Sequence, residues 1–280
     1  MSDYITGTPI YRFEPADCCR IESLRDGCLF IADPARFNDP LDLQLDIQDF
    51  SYRAGFPDER YKAATSELIR DLELEHAHWL FSEKMLKDLK RWCEGDKLVS
   101  LDDIVERLKQ HISTFGVQCF SSSYEIPLSW SHYASGHQGF CIEYDLHKMP
   151  LACKHPELAM YDVTYSNALP QACISEILFT PHQAISRLLA TKTVDWAYEQ
   201  EFRLVHFEQK GCKVDMPEGL RIASLIGGVS MSWAHFELLR TVGQELGVPV
   251  YRMVRNDRLG TGKPWRRELV FEPAKENVSA

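Results

Sequence analysis

The chain has 280 residues, 45% hydrophobic and 26% charged, which suits one globular domain with a sizeable insertion. Its net charge of −10 argues against a broad nucleic-acid surface, which needs a basic footprint, and no charge-free apolar run has the length of a membrane span. The first residues lack a basic, apolar, small-residue export pattern, so a cytoplasmic protein is expected, and the nine cysteines, with no Cys-x-x-Cys pair, read as reduced core thiols.

Residues 8–13 predict a first strand, with Tyr11 and Phe13 on one face and Arg12 on the other. A short helix over 16–25 ends at Gly27, and a buried strand follows over 28–32. Residues 33–40 carry two prolines and the pair Asn38-Asp39, which reads as a turn-rich loop, with a ligand role for Asn38 or Asp39 as the other reading. Residues 41–47 alternate and read as extended. From 59 to 111 the period becomes helical: Phe81, Met85, Leu89 and Trp92, then Leu101, Ile104, Val105, Leu108 and Ile112, the last helix capped by Ser100. About three helices are expected here, as an all-helical insertion at about 57–113. His76 and His78 lie within it and read as helix-surface histidines.

Strand character returns at 116–120. A short helix over 128–134 has Pro127 at its start, and strands follow over 139–144 and 159–165. Residues 174–178 and 183–190 read as helices, and the segment from Trp196 to Val205 enters a strand. A strand over 220–226 closes at Gly227-Gly228, Ser232 caps a helix stopped by Gly247, and the last strands cover 248–254 and 267–271. Arg252, Arg255, Arg258, Lys263, Arg266 and Arg267 form a basic cluster that reads as a solvated loop between those two strands. The class is α+β with mostly antiparallel pairing, one domain spanning 1–280.

Glu199, Glu201 and Arg203 fall at every second position, so on a strand they share a face, beside the aromatics Trp196 and Tyr198. Paired carboxylates in that setting can abstract a proton or stabilise a developing cation; the same spacing also builds an ion ladder on an exposed strand. Lys192 lies four residues before Trp196, either on the same cleft or on the surface. Two further polar groups sit at strand ends flanked by aromatics: Arg12 between Tyr11 and Phe13, and Ser121, Ser122 and Ser123 between Phe120 and Tyr124. An arginine can clamp phosphates, hydroxyls can order a ribose or a carboxylate, and aromatic faces can hold a flat ring. In Trp130-Ser-His-Tyr133, Ser129 shares a helix face with His132, and Trp130 with Tyr133, so one pair would be buried and the other would line a cleft. No nucleophile elbow supports a serine hydrolase, and no His-Glu-x-x-His, cysteine pair or aspartate-rich loop supports a metal.

In that order, Arg12, Phe120-Ser-Ser-Ser123 and Glu199-Gln-Glu201 resemble the Arg–Ser–Glu class of ADP-ribosyltransferases. The chain also resembles a bacterial family known only as a domain of unknown function, through Phe37-Asn-Asp-Pro40, Cys119-Phe-Ser121, Trp130-Ser-His-Tyr-Ala134, Gly139-Phe-Cys-Ile-Glu-Tyr144 and Trp196-Ala-Tyr-Glu-Gln-Glu-Phe-Arg203. The first resemblance implies a split, mixed β-sandwich that grips NAD as substrate, with helices at the side. It also implies roles. Arg12, with Tyr11 beside it, would hold the phosphates or adenylate ribose. Ser121 and Ser123, with Ser122 as the alternative register, would order the nicotinamide ribose. Glu201 would stabilise an oxocarbenium-like state, Glu199 would act on a macromolecular acceptor, and Tyr133, Tyr124 or His132 would line the nicotinamide pocket. The second resemblance implies a toxin or phage-defence setting with an antitoxin or system partner. The alternatives are an NAD glycohydrolase, with water as acceptor, and a non-catalytic binding or regulatory module with a degenerate pocket.

Overall fold

The computed structural model describes residues 9–43, 82–93, 98, 101–146, 158–173, 181–256 and 263–274, together with the short strands Tyr4–Ile5, Asp46–Gln48 and Met149–Pro150. Its main element is a mixed sheet of eight described strands: β1 Pro9–Glu14, β2 Gly116–Ser121, β3 Phe140–Leu146, β4 Leu158–Asp162, β5 Glu201–His206, β6 Leu220–Gly227, β7 Val250–Arg255 and β8 Trp265–Phe271. Across the sheet they run in the order β8-β7-β6-β3-β1-β2-β5-β4. The β6–β7 pair is parallel, and the other neighbours are antiparallel.

Successive side chains point to opposite faces, and the central strands bury both faces, so nearly every position of β2, β3 and β5 is covered. On one face Ile10, Ile142, Phe120, Leu204 and Leu225 pack with Phe236, Leu239 and Val242 of helix α5, Trp233–Leu246. On the other, Tyr11, Cys141, Ile226 and Met253 pack around Trp130 of helix α3, Pro127–Tyr133. Gly243 lets α5 lie close, since a Cβ there would stand 2.2 Å from Val250 Cγ2. Ser232 caps α5 by accepting the His235 N–H at 3.3 Å, and Gly247 ends it with φ +67°.

The sheet is weakly joined at its centre. β1 pairs with β3 along its whole length, from Pro9 against Asp145 to Glu14 against Phe140. β2 pairs with β5 just as fully, from Gly116 against His206 to Ser121 against Glu201. Between β1 and β2 only Tyr11 and Ser121 pair. Further along β2, Val117 exchanges both backbone hydrogen bonds with Ala32 at 3.0 Å, just past the strand Cys28–Ile31. The two halves of the sheet therefore part beside the Tyr11–Ser121 contact.

Several elements differ from the sequence expectation. The first short helix is one α-turn, Cys18–Glu22, followed by a 3-10 turn, Ser23–Asp26. The strand expected over 159–165 breaks into β4 and Thr164–Ser166. The segment from Val194 to Glu199 is a 3-10 helix, so Glu199 lies outside the strand that Glu201 begins. The basic cluster is mostly strand: Arg252 and Arg255 lie on β7, Arg266 and Arg267 on β8. Arg267 is held by Glu143 at 2.6 Å and by the ring faces of Tyr124 and Tyr251 at 5.0 and 4.5 Å, because the strand pairing turns it inward. Of the helical insertion, α1 Glu83–Cys93 and α2 Leu101–Ile112 are described; they bury Met85, Leu86, Leu108 and Ile112 and are tied by Arg107 to Asp88 at 2.8 Å. Residues 57–81, with His76 and His78, residues 94–97 and 99–100, and the helix expected over 174–178 lie outside the described residues. Helix α4, Pro181–Leu189, is close to expectation. No described helix is long and apolar enough to cross a membrane.

Candidate active site

A cleft of about 380 Å³ opens where β1 and β2 part, a volume in the range of small-molecule sites. Tyr11, Arg12, Asn38, Ser121, Ser129, His132, Tyr133, Lys192, Glu199 and Glu201 line it. Tyr11, Ser121 and Glu201 lie side by side in register on three neighbouring strands, so the pairing alone sets them in one row.

Beneath that row is a buried charge network. Arg203 is fully buried. Its Nε donates to Glu201 Oε1 at 2.8 Å, its Nη2 to Asp42 Oδ2 at 2.7 Å, and its Nη1 to the carbonyl of Leu189 at 2.7 Å. That last bond satisfies a carbonyl at the C-terminus of α4, which no helical N–H can reach. Lys192 donates to Glu199 Oε2 at 2.6 Å and to Glu201 Oε2 at 3.2 Å, and lies 3.6 Å from Asp42 Oδ2. The lysine is placed by the short strand Thr191–Thr193, where it pairs with Tyr165, whose hydroxyl accepts the Glu201 N–H at 2.9 Å. The ion ladder of the sequence thus exists, but inside the protein rather than on an exposed face, and with a lysine and an aspartate that the alternation did not assign to it.

Gln200 joins the two glutamates in a left-handed conformation, φ +47°. This kink lets Glu199, on a 3-10 turn, and Glu201, on a strand, reach the same lysine. The serines hold it in place. Ser121 Oγ donates to the Glu199 carbonyl at 2.7 Å, and the Ser122 N–H and hydroxyl donate to the Gln200 carbonyl and side-chain oxygen at 2.9 and 2.7 Å. Ser123 Oγ accepts the Glu125 N–H and does not reach the turn through any described bond.

The two carboxyls are pushed apart. Burial raises Glu199 above the ordinary carboxyl range, against the opposing pull of Lys192 and Tyr133. Burial would also raise Glu201, but Arg203 and Lys192 overcome it and hold that carboxyl down to about 2. Two titratable neighbours shifted in opposite directions are the pattern of a proton-transferring group beside a permanently ionised one. Tyr133 donates to Glu199 Oε1 at 2.5 Å, and burial, then this bond, raise its hydroxyl pKa, so it stays a donor. Asn38 Nδ2 lies 3.5 Å from the same hydroxyl. Burial and then Glu201 raise the Cys119 thiol well above its usual value, which removes it as a nucleophile.

The stability consequence of Glu201 has a definite sign. A carboxyl whose folded pKa lies below its ordinary value near 4.5 stabilises the fold above that value and ceases to do so as the pH falls toward about 2. Acid titration monitored by circular dichroism is expected to show stability falling through that window, with Glu201→Gln losing the dependence. An unchanged acid limb in a folded variant would remove Glu201 as its source.

The other expected site residues are distributed as follows. Arg12 alternates away from Tyr11 and pairs with Glu14 at 2.5 Å; it borders both this cleft and a second of about 390 Å³ lined by Glu14, Arg20 and Tyr144. Tyr11 donates to Glu143 at 3.2 Å and stacks at a tilt 5.4 Å from Tyr124. On α3 the expected pairing of faces does not hold. Trp130 is the residue buried in the core, its Nε1 donating to the Tyr124 carbonyl at 2.7 Å, while Ser129, His132 and Tyr133 all face the cleft. Positions 129, 132 and 133 stand at i, i+3 and i+4, one face of a helix, and Trp130 on the next face enters the core. His132 is exposed and lies 6.4 and 6.2 Å from the rings of Trp196 and Tyr198, forming an aromatic rim, with Lys192 4.7 Å over the Trp196 ring. Asp42 is the site residue that sequence reasoning missed: the alternation over 41–47 read as extended, whereas residues 41–43 form a turn closed by the Asp42 N–H on the Asp39 carbonyl at 3.1 Å.

Residues 129–204 match a family described as protein of unknown function (DUF2971). The matched span holds α3 from Ser129 onward, Lys192, both glutamates and Arg203, so it carries the charge network apart from Asp42, and it leaves out Tyr11, Arg12 and Ser121. No curated protein and no solved structure matches the chain.

Proposed function

We propose that this chain is an NAD-consuming ADP-ribosyltransferase built on an ADP-ribosyltransferase-like split sheet. The observation that carries the reading is the row Tyr11–Ser121–Glu201 at the parting of β1 and β2, with a cleft beside it lined by every arginine, serine and glutamate position of the resemblance except Ser122 and Ser123. NAD is the substrate. In the chemistry proposed, nicotinamide leaves as the C1′–N bond breaks, and positive charge develops on the ribose. Asp42, Glu199 and Glu201 face Lys192 and Arg203, one negative charge in excess among these groups, and that excess stabilises the developing cation. Glu201 stays ionised throughout. Glu199 takes the proton from the acceptor nucleophile as it attacks, its raised pKa making it a stronger base than an ordinary carboxylate. Tyr133 holds Glu199 in orientation, and Tyr133 and His132 wall the pocket for the leaving ring. The acceptor is a macromolecule, or water in the glycohydrolase variant, and the toxin or defence setting with its partner rests on the resemblance alone.

One observation favours a binding module instead. Glu201 already accepts from Arg203 and Lys192, which leaves it little capacity for a ribose hydroxyl. Purified protein incubated with labelled NAD and cell extract separates the readings. Nicotinamide release with label bound to macromolecules supports the transferase, and release with free ADP-ribose supports the hydrolase. No release and no NAD binding would leave the module reading standing.

A further inference from the structure

Two arginines share one carboxylate between the cleft and the second cavity. Arg12 Nη2 lies 2.5 Å from Glu14 Oε1, and Arg20 Nη1 lies 2.5 Å from Glu14 Oε2, so the guanidiniums are neighbours on the two oxygens of one group. Glu14 is buried and fixes both forks. Arg12 also reaches the Tyr144 hydroxyl. These bonds occupy part of the five donors that each guanidinium carries. Among the described residues neither arginine has a second acidic partner, so the three charged groups leave one positive charge in excess, on a chain whose net charge is −10. Both side chains keep contact with solvent, 14% exposed at Arg12 and 53% at Arg20, and both line the cavity of about 390 Å³. Asp17, the other acid on its wall, already accepts the N–H groups of Cys19 and Arg20 at 2.8 and 3.2 Å. The strands Cys28–Ile31 and Cys212–Asp215 pair so that Lys213 stands opposite Phe30, and both line the cavity. Phe30 is 41% exposed, which leaves an aromatic ring uncovered beside the cations.

We infer that this second cavity binds a nucleoside phosphate, its phosphoryl group between Arg12 and Arg20 and its base against Phe30. Two planar forks held at one carboxylate suit tetrahedral phosphoryl oxygens, which accept from both at once. Glu14 places Arg20 before the ligand arrives, so less side-chain freedom is lost on binding. Lys213, tied to Asp26 at 2.7 Å, is a third cation on the wall. Arg20, Phe30 and Lys213 do not line the cleft, so the site stands apart from the Tyr11–Ser121–Glu201 row and meets it through Arg12 and Glu14. The phosphoryl group belongs either to a dinucleotide that reaches across from the cleft or to a separate nucleotide. The inference does not depend on NAD turnover.

The full chain is titrated with AMP and with adenosine by calorimetry, alongside Arg20→Ala and Arg20→Lys. Arg20 is half exposed and its removal leaves Glu14 with Arg12, so both variants are expected to fold. AMP is expected to bind the wild type about tenfold or more tightly than adenosine, and Arg20→Ala to weaken AMP by about ten- to a hundredfold while leaving adenosine unchanged. Arg20→Lys keeps the charge but loses the fork, and should fall between. Saturating NAD then separates the two sources. Displacement of AMP assigns the site to the dinucleotide's own phosphate, and AMP bound beside NAD assigns it to a separate nucleotide; either supports the site. No AMP binding, or equal affinity for AMP and adenosine, would overturn the inference, and that comparison needs no variant. AMP binding unchanged in Arg20→Ala would overturn it too, since the phosphate would then sit elsewhere. AMP bound at this site without any NAD turnover would remove the transferase reading and leave this one intact.

Discussion

Replacing Arg203 with leucine is expected to lower the stability of the folded protein by about 3–5 kcal/mol, a large share of what a domain of this size possesses. The side chain is fully buried and makes bonds to three separate elements: Glu201 on β5, Asp42 in the loop, and the last carbonyl of α4. Leucine fills part of the volume but leaves Lys192 as the remaining described cation for two buried carboxylates and removes the side-chain donor of a helix-end carbonyl. An uncompensated buried charge costs more than the ion pair contributed, so the loss exceeds that of an ordinary truncation. Asp42→Asn together with Arg203→Leu should recover part of the loss, because one orphaned charge goes with the cation. Denaturant unfolding of the single and double variants measures the coupling. Equal stability of wild type and Arg203→Leu would mean that the network contributes nothing to the fold.

Glu199→Gln is expected to keep the fold and to lower acceptor modification by about 10²–10⁴-fold, the usual contribution of a positioned proton-transfer group. Its amide still accepts from Tyr133, and Lys192 keeps Glu201 and Asp42 as partners, so the buried network remains occupied. The variant should retain nicotinamide release better than transfer, because in the chemistry proposed bond breaking depends on the ionised Glu201 and transfer on Glu199. A pH profile distinguishes this from a structural effect. The wild-type transfer rate should rise through the raised ionisation of Glu199, and the variant should lack that limb. A Tyr133→Phe variant supplies the complement: losing the hydrogen bond to Glu199 should shift the limb rather than abolish it. If Glu199→Gln transfers label at the wild-type rate, Glu199 is no base and the assignment of roles fails.

Much of the fold was legible because its signals are local. Alternation marked β1, local strand character marked β2, β3 and β6, and Ser232 with Gly247 bounded α5 within a residue. Pro127 marked the start of α3. The misreadings occur where non-local contacts override local pattern. Alternation carried Glu199 onto a strand, but the Ser121 and Ser122 bonds to the Glu199–Gln200 backbone hold that stretch as a 3-10 turn with a left-handed exit. The basic residues near the C-terminus read as a solvated loop by composition, yet Glu143, 124 residues away from Arg267, draws that side chain against the sheet.

The sequence by itself determined the α+β class, most of the strands, the carboxylate pair at 199 and 201, and the resemblance that names a chemistry, since each depends on residue type and short-range spacing. The tertiary structure alone decided what those carboxylates are. Strand order brought Tyr11, Ser121 and Glu201 into one row, and a loop brought Asp42 across 161 residues to Arg203. Burial, opposed at Glu201 by Arg203 and Lys192, then turned a pair of similar glutamates into one held ionised and one raised. Desolvation and Coulomb attraction act over a few ångströms in space and are blind to separation along the chain, so nothing in the spacing of the residues could have set their signs.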